Sequence, residues 1–339
     1  MILGANGAGK TSLLEAIYLL ATTRSFRTSR ISDCCRHGEE GFRLAGEIEA
    51  ESRLRLEYVF HAGEKTRLLN SRRPSLAEHL AALPVVVWTA SDVEVLIGSP
   101  AERRRFLDRG VLGRRPSALD ALSRYRRALA EKRRLVENDA SESVWQTWNH
   151  VLAEAAAELI RLRSAYVSDL ASRLQAVLDA CRLGFPPVAL RYRPSPRCGG
   201  QGTERIAEAF DSLAGRERRS QRVLAGPHRD DLEISWGGHE LRRVASAGER
   251  KALGLALASA NGELLKECGR RPTYLLDDVD TELDRERLDS MWRVLGSAEQ
   301  LFASSNRPAV WESIEGARFW HCRAGRLREE TGRTSDPVW

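Results

Sequence analysis

A phosphate-binding loop pattern stands almost at the start of the chain and constrains the fold more than any other feature. The pattern is G-x-x-x-x-G-K-[ST], filled here by Gly4-Ala5-Asn6-Gly7-Ala8-Gly9-Lys10-Thr11. Glycines let the backbone curl so that successive N–H groups point at phosphate oxygens. In such loops the lysine reaches the β- and γ-phosphates and the hydroxyl binds Mg²⁺, which makes Lys10 and Thr11 the candidates. The helix predicted from Ser12 would add its positive N-terminal end.

A loop of this kind follows a buried strand, so an apolar segment must precede it. Only Met1-Ile2-Leu3 stand there, fewer than the about five residues of a typical strand. The sequence therefore predicts a chain that begins inside its first domain, either as a fragment or through a start placed too late.

The remaining patterns predict an α/β nucleotide-binding unit that is split by a mainly helical insertion. Alternation over 43–60 predicts a hairpin, and apolar runs predict strands at 83–88, 232–236, 274–276, 301–304 and 319–322. Ser99 predicts an N-cap, and helical spacing continues to residue 180 with breaks at 113–116 and 138–141. Further helices are predicted over 244–267 and 283–295, and a Pro/Gly-rich connector over 184–202. The predicted domains are a discontinuous head, 1–98 and 220–339, and a helical arm, 99–219.

Two carboxylates complete a candidate catalytic centre at the end of a predicted strand. Thr273-Tyr274-Leu275-Leu276 is followed by Asp277 and Asp278. Asp277 is placed to hold Mg²⁺ through water, and Asp278 to orient or activate the attacking water. Taken alone, two solvated acids at an ordinary strand end explain this segment equally well.

A second small turn supports the catalytic interpretation. Ser246-Ala247-Gly248 opens a predicted helix, and helix N-termini favour anions. The chain already has one phosphate loop, so we expect Ser246 and Gly248 to face the γ-phosphate held by another subunit.

The positive charge is concentrated in one segment. The chain carries a formal +6, whereas residues 102–134 alone hold twelve basic and four acidic residues. Such an excess favours contact with the DNA backbone, although charge runs more often form a solvated helix face. The segment contains the seven arginines predicted to bind DNA: Arg103, Arg104, Arg124, Arg126, Arg127, Arg133 and Arg134. Arg103 and its neighbours could instead serve the joint between head and arm.

Composition argues against two settings. There is no run of about 18 apolar residues, so no membrane span is predicted. The six cysteines form no CxxC pair, and a reduced, cytoplasmic setting is the expectation.

The order of these motifs resembles an ABC-type ATPase head, with Walker A, signature motif, Walker B and D-loop. They stand at Gly4–Thr11, Ser246–Lys251, Tyr274–Asp278 and Thr281–Asp284. More closely, Arg24–Thr28, Gly98–Asp108 and Gly226–Leu232 are similar to stretches of the RecF family. The resemblance implies about thirty residues before the loop, enough for opening strands. The signature departs from the family in reading SAGERK, and Ser304-Ser305-Asn306 stands where transporter heads carry a switch histidine.

The resemblance implies an ABC-type head with a helical arm that binds ATP and Mg²⁺. It implies a head-to-tail homodimer around two nucleotides, with Lys10 and Thr11 of one subunit facing Ser246 and Gly248 of the other. Asp284, in the D-loop, would join the nucleotide site. It also implies slow, DNA-stimulated ATP hydrolysis, binding to duplex and gapped DNA, and placement of RecA with RecO and RecR in recombinational repair.

Three other functions compete with this one. A transport subunit is disfavoured because Lys10 and Asp277 lie 267 positions apart, with a basic helical arm between them. A chromosome-condensing ATPase would need long heptad repeats, which are absent. A DNA-binding homologue without ATPase activity is disfavoured by the intact Lys10, Thr11, Asp277 and Asp278. His228 resembles a catalytic base, but a hydrogen-bonded turn histidine is the favoured interpretation.

Overall fold

The computed structural model describes residues 1–49, 53–138, 141–197, 202–281, 283, 285–295, 298–311 and 317–330. Its helices are α1 Lys10–Thr22, α2 Leu76–Ala82, α3 Glu94–Ile97, α4 Pro100–Arg114, α5 Ala118–Glu137, α6 Glu142–Cys181, α7 Thr203–Ser220, α8 Leu241–Val244, α9 Ala247–Glu267 and α10 Arg285–Leu295. Its strands are β1 Ile2–Leu3, β2 Gly41–Glu49, β3 Arg53–His61, β4 Glu64–Leu69, β5 Val85–Trp88, β6 Val188–Arg193, β7 Asp231–Trp236, β8 His239–Glu240, β9 Thr273–Leu276, β10 Gln300–Ser305, β11 Trp320–Arg323 and β12 Arg326–Glu329. Among the described residues, no helix is long and apolar enough to cross a membrane.

Contacts divide the chain into two compact units. The first, here called the α/β unit, comprises Met1–Val93, Ala176–Gly184 and Ser246–Trp339. The second, the helical unit, comprises Glu94–Gln175 and Phe185–Ala245. These boundaries differ from those predicted, because β7 pairs with β6 and thereby draws residues 220–245 into the helical unit.

The α/β unit is built on a six-stranded sheet of order β12-β11-β1-β10-β9-β5. The pairs from β11 to β5 are parallel, and β12 runs antiparallel to its neighbour. Although β1 has two residues, Ile2 and Leu3 are buried and pair on one side with β10 and on the other with β11. A parallel strand buried on both faces needs apolar residues, which explains the Met-Ile-Leu start. The phosphate loop therefore follows a central strand of the sheet.

The predicted hairpin is confirmed as β2 and β3, and β4 extends it to a three-stranded antiparallel sheet. Its apolar side packs on Leu19 and Leu20 of α1 through Leu56, Tyr58 and Phe60. This packing fixes one face of the helix that follows the phosphate loop.

The helical unit is organised around α5, α6 and α7. Its core contains residues at helical spacing, including Leu122, Tyr125 and Leu129 of α5 and Trp145, Leu152, Ala156 and Leu159 of α6. The predicted helix start at Ser99 and the breaks before α5 and α6 are confirmed. Helix α7 lay outside the predictions, although Ile206, Phe210 and Ala214 repeat every four residues along its buried face.

Residues 184–202 contain a strand, so the predicted connector is wrong at its centre. Strand β6 pairs antiparallel with β7 over six residue pairs. Prolines 186, 187, 194 and 196 flank the strand rather than interrupt it. The Pro/Gly content correctly indicates turns at the ends of the segment. The strand was missed because the alternating residues Val188-Ala189-Leu190 lie between those prolines.

A candidate nucleotide-binding site in the α/β unit

The phosphate loop connects the central strand β1 to helix α1, and its glycines are needed for local geometry. Gly7 and Gly9 have φ angles of 78° and 107°, in the left-handed region that L side chains rarely adopt. At Gly4, an added Cβ would lie 2.4 Å from the carbonyl oxygen of Cys322 in the adjacent strand β11. The loop therefore needs glycine at these positions for backbone curvature and for close packing.

Lys10 is the first residue of α1 and only 4% exposed. Its Nζ donates hydrogen bonds to the carbonyl oxygens of Gly4 at 2.9 Å and Ala5 at 3.2 Å. The ammonium group thus lies across the curl of its own loop, where loop amides and a lysine together can meet phosphate oxygens.

Thr11 brings the phosphate loop to the carboxylate predicted on strand β9. Its Oγ1 donates to Asp277 Oδ1 at 3.0 Å, and Ser304 Oγ donates to the same oxygen at 2.6 Å. Asp277 follows β9, and its backbone N–H is held by the carbonyl of Trp88 at 2.8 Å. Because β5, β9 and β10 are parallel neighbours, their carboxyl ends meet beside the loop.

Asp278 adopts an unusual backbone conformation next to Asp277. Its φ is 45°, and its N–H donates to Ser304 Oγ at 2.9 Å. Its Oδ1 is buried and has no hydrogen-bond partner in the described part of the chain. Burial, followed by the neighbouring Asp277 charge, raises the pKa of this carboxyl. A carboxylate with an unused oxygen and a raised pKa is suited to accept a proton.

Lys251, in the first turns of α9, fixes the turn after Asp278. Its Nζ donates to the Asp278 carbonyl oxygen at 2.9 Å and to Thr281 Oγ1 at 2.8 Å. Lys251 is itself buried. The helix that carries the signature motif is therefore tied directly to the Walker B turn.

Two site residues, Ser304 and Lys251, lay outside the sequence-predicted set. In the sequence, Ser304 stands in a segment without the switch histidine, and in the structure its hydroxyl bridges Asp277 and Asp278. Its position at the end of a parallel strand was the available signal. Lys251 belongs to the signature motif, but no sequence pattern predicts its contact with Asp278.

The signature residues form an exposed helix N-terminus. Ser246 is the N-cap of α9, with its Oγ accepting from the Glu249 N–H and its own N–H donating to the Glu249 carboxylate at 2.7 Å. Such a capping box fixes the entry to the helix. Ser246 is exposed and Gly248 partly so. Asp284, the remaining predicted residue, lies outside the described residues.

The seven arginines predicted to bind DNA fall into two groups. Arg103 is paired with Asp231 through two hydrogen bonds of 2.6 and 3.0 Å, and Arg104 donates to the Asp230 carbonyl at 2.8 Å. These two are held inside the helical unit. The other five lie on α5 with exposed side chains: Arg124, Arg126, Arg127, Arg133 and Arg134. Arg124 is ion-paired with Glu158, and Arg134 with Glu131 at 2.7 Å.

Lys132, counted in the same basic segment, is a core residue. Its side chain is 1% exposed. The ammonium donates to Asn149 and lies 3.4 Å from the Glu217 carboxylate and 3.4 Å above the Trp145 ring. Burial lowers the pKa of Lys132 to about 8. One of the twelve positive charges therefore serves the interior of the helical unit.

His228 is the hydrogen-bonded turn residue that was favoured over a catalytic base. It lies in the short turn Pro227–Arg229, with Nδ1 2.6 Å from the Tyr125 hydroxyl and Nε2 3.3 Å from the Val223 carbonyl. The Val223 carbonyl requires a proton on Nε2, so Nδ1 accepts from Tyr125. Burial lowers the pKa of His228 to about 4.

Comparisons with known proteins agree with this architecture. The family described as RecF/RecN/SMC N terminal domain matches residues 1–317. An Smc head in complex with the C-winged helix domain of ScpA superposes with a TM-score of 0.54 at 16% identity, covering 97% of this chain and 88% of that chain. Fold and site thus define an ATPase head of the RecF/RecN/SMC class.

More specific relatives narrow the assignment. A DNA replication and repair protein RecF from Geotalea daltonii is 32% identical, covering 96% of this chain and 92% of the relative. One from Anaeromyxobacter dehalogenans is 35% identical over 96% and 91%. The recombination mediator protein RecF with ATP superposes with a TM-score of 0.87 at 25% identity, over 97% and 90%. The chain belongs to the RecF family, which confirms the resemblance and the fold class predicted from the motifs.

Proposed function

We propose that this chain is an ATP-dependent DNA-binding protein of recombinational repair and replication-gap processing, and a slow DNA-stimulated ATPase. The observation that carries the ATPase part is the 3.0 Å hydrogen bond from Thr11 Oγ1 to Asp277 Oδ1. It joins the phosphate loop to the Walker B strand, the arrangement that phosphate-loop ATPases use. The related RecF structure with ATP supports the choice of nucleotide.

Mg²⁺ fits the chemistry of this pair. The cation prefers oxygen ligands and usually takes one or two from the protein, the rest being water and phosphate oxygens. The Thr11 hydroxyl and the Asp277 carboxylate are such ligands, and they already converge. When bound, the ion would neutralise charge on the β- and γ-phosphates.

The remaining residues have separate tasks in hydrolysis. Lys10 and the loop amides bind and orient the phosphates. Asp278 accepts the proton of the attacking water, a task supported by its unused Oδ1 and raised pKa. Ser304 holds Asp277 and Asp278 in register with each other.

ATP acts as a switch for a head-to-tail homodimer. The exposed N-terminus of α9, with Ser246 and Gly248, presents backbone N–H groups that suit the γ-phosphate on a second copy. Asp284 is proposed to approach the same nucleotide. Since the γ-phosphate then bridges two surfaces, its loss on hydrolysis releases the dimer.

The DNA surface is proposed on α5, which presents Arg126 and Arg133 seven residues apart and Arg127 and Arg134 likewise. Phosphate contact of this kind positions a protein on DNA without reading bases. It suits binding to duplex and gapped DNA. We also propose, with support from the family assignment, that the chain cooperates with RecO and RecR in the cytoplasm to place RecA.

The switch is tested by mixing two defective variants. Lys10→Ala removes phosphate binding in one subunit, and Ser246→Arg blocks the trans surface of the other. In a head-to-tail dimer the mixture contains one intact composite site, so ATP should restore dimers that neither variant forms alone. Sedimentation with ATP and with ADP measures this, and turnover with and without gapped duplex measures the ATPase. A mixture that stays monomeric contradicts the head-to-tail arrangement.

A further inference from the structure

A basic depression lies in the helical unit. It has a volume of about 380 Å³, and four arginines from three segments line it: Arg104 of α4, Arg133 of α5, and Arg222 and Arg229 beyond α7. The residues that line it all belong to the helical unit, whereas the phosphate loop belongs to the α/β unit.

Two of the arginines are anchored by backbone carbonyls. Arg104 Nη1 donates to Asp230 O at 2.8 Å, and Arg229 Nη2 donates to Val223 O at 3.3 Å. Each guanidinium has five N–H donors, so both keep donors for a ligand. Arg133 and Arg222 form no ion pair with any carboxylate in the part of the chain that the structure describes.

Positive charge in the depression exceeds what its own residues neutralise. Glu137 is the acidic residue in the lining, against four guanidinium groups. His228 adds no charge, because its pKa is lowered to about 4 by burial first and then by Arg229, Arg133 and Arg104. Arg104 also lies under the influence of the Asp231, Asp230 and Asp108 carboxylates. Most of the excess positive charge of this arginine cluster therefore comes from Arg133, Arg222 and Arg229.

We propose that this cluster is a binding site for a phosphate group of a nucleic acid strand. A phosphate offers several oxygens to several guanidinium forks at once, whereas one carboxylate is matched by a single fork. Among the described residues that line the depression, His228 is the aromatic one, so the depression suits a backbone or terminal phosphate rather than a stacked base. Arg133 also belongs to the basic row of α5, which connects the site to the proposed DNA surface. The nucleic-acid source rests on the proposed function, but the phosphate chemistry does not.

The test uses the full chain with Lys10→Ala throughout, which removes binding at the phosphate loop. In that background, R222A/R229A removes two charges from the depression, and R216A/R219A removes two exposed charges from α7 outside it as a matched control. The first measurement is the shift in Tm on adding inorganic phosphate in place of chloride at equal ionic strength. The second is the affinity for a 16-base-pair duplex by fluorescence anisotropy.

We expect phosphate to raise the Tm of the background and control chains but not that of R222A/R229A. We also expect R222A/R229A to bind the duplex at least about tenfold more weakly, because two charge-assisted contacts are removed. Loss of the phosphate shift with unchanged duplex affinity would support the site and assign it to free phosphate or nucleotide. Equal phosphate shifts in all three chains, or a response to polyglutamate and none to phosphate, would overturn it. The proposed function is tested separately, by measuring ATP-driven dimerisation of the chain that keeps Lys10.

Discussion

The ammonium group of Lys251 lies 2.9 Å from the carbonyl oxygen of Asp278, the residue proposed to accept the proton of the attacking water. Asp278 has a φ of 45°, a conformation that costs energy in a residue other than glycine and persists only when its surroundings impose it. Lys251, buried on the signature helix, imposes it from one side, and Ser304 from the other. Lys251 is thus a positioning residue that links the proposed trans surface to the proposed site of hydrolysis.

Replacing Lys251 tests that link. Lys251→Met keeps the aliphatic stem and removes the donors to the Walker B turn, so we expect kcat to fall about tenfold or more with little change in ATP affinity. The control Lys266→Met makes the same chemical change on α9 at a partly exposed residue paired with Glu263. Equal kcat values for the two variants would show that Lys251 does not position Asp278.

Lys10 is proposed to hold ATP for the dimer switch. Lys10→Ala should abolish ATP-dependent dimerisation, because the loop loses the cation that meets the phosphates. Sedimentation with and without ATP measures the change, and Lys65→Ala, at an exposed position on β4, is the control. Dimers of unchanged affinity in Lys10→Ala would contradict the switch.

Asp278 is proposed to act in hydrolysis and not in binding. Asp278→Asn should lower turnover about a hundredfold or more, the usual contribution of a positioned general base, and leave ATP-bound dimers intact. Asp277→Asn should differ, since it weakens the proposed Mg²⁺ site and with it both ATP binding and dimerisation. Turnover and sedimentation on the same samples separate the two effects, and unchanged turnover in Asp278→Asn removes it from this role.

The arginines of α5 are proposed to contact the DNA backbone. Changing Arg124, Arg126 and Arg127 to glutamate should weaken duplex binding and flatten its dependence on salt, because fewer counterions are released. A triple change at Arg36, Arg72 and Arg73, exposed in the α/β unit, matches the change in net charge. If both triples lose equal affinity and salt dependence, the effect comes from net charge and the DNA lies elsewhere.

His228 predicts a loss of stability in acid. Its pKa is lowered to about 4 when folded and is about 6.5 when unfolded, so the unfolded chain binds the proton first as the pH falls. The free energy of unfolding is therefore highest, as far as this group is concerned, above pH 6.5, and it falls progressively as the pH drops towards 4. Between pH 7 and pH 5 the loss is roughly 1–2 kcal/mol. The difference in Tm between pH 7 and pH 5 should therefore be smaller in His228→Gln than in the unchanged chain. His239→Gln, at an exposed position, should leave the difference as it was.

The sequence by itself determined the nucleotide site in outline and the family. The phosphate loop depends on glycines and on a lysine and threonine at fixed spacing, and Asp277 and Asp278 follow a short apolar strand. Both features are local, because a few neighbouring residues dictate the backbone conformation, and the motifs that they form are specific. The helices of the arm were predicted for the same reason, since their apolar residues repeat at helical spacing.

Only the tertiary structure decided which charges are free to act. Arg103, Lys132 and Arg126 are basic residues of one segment, and the sequence does not distinguish between them. In the structure, Arg103 is paired with Asp231, Lys132 lies in the core beside Glu217, and Arg126 is exposed. The partners are separated by up to 128 residues along the chain, a distance over which side-chain pairing leaves no local pattern. The same holds for Lys251 and Ser304, whose contacts with Asp278 arise where the first turns of α9 meet the carboxyl ends of β9 and β10. Burial and pairing are properties of the packed chain, which is why a count of basic residues located the segment but not its surface.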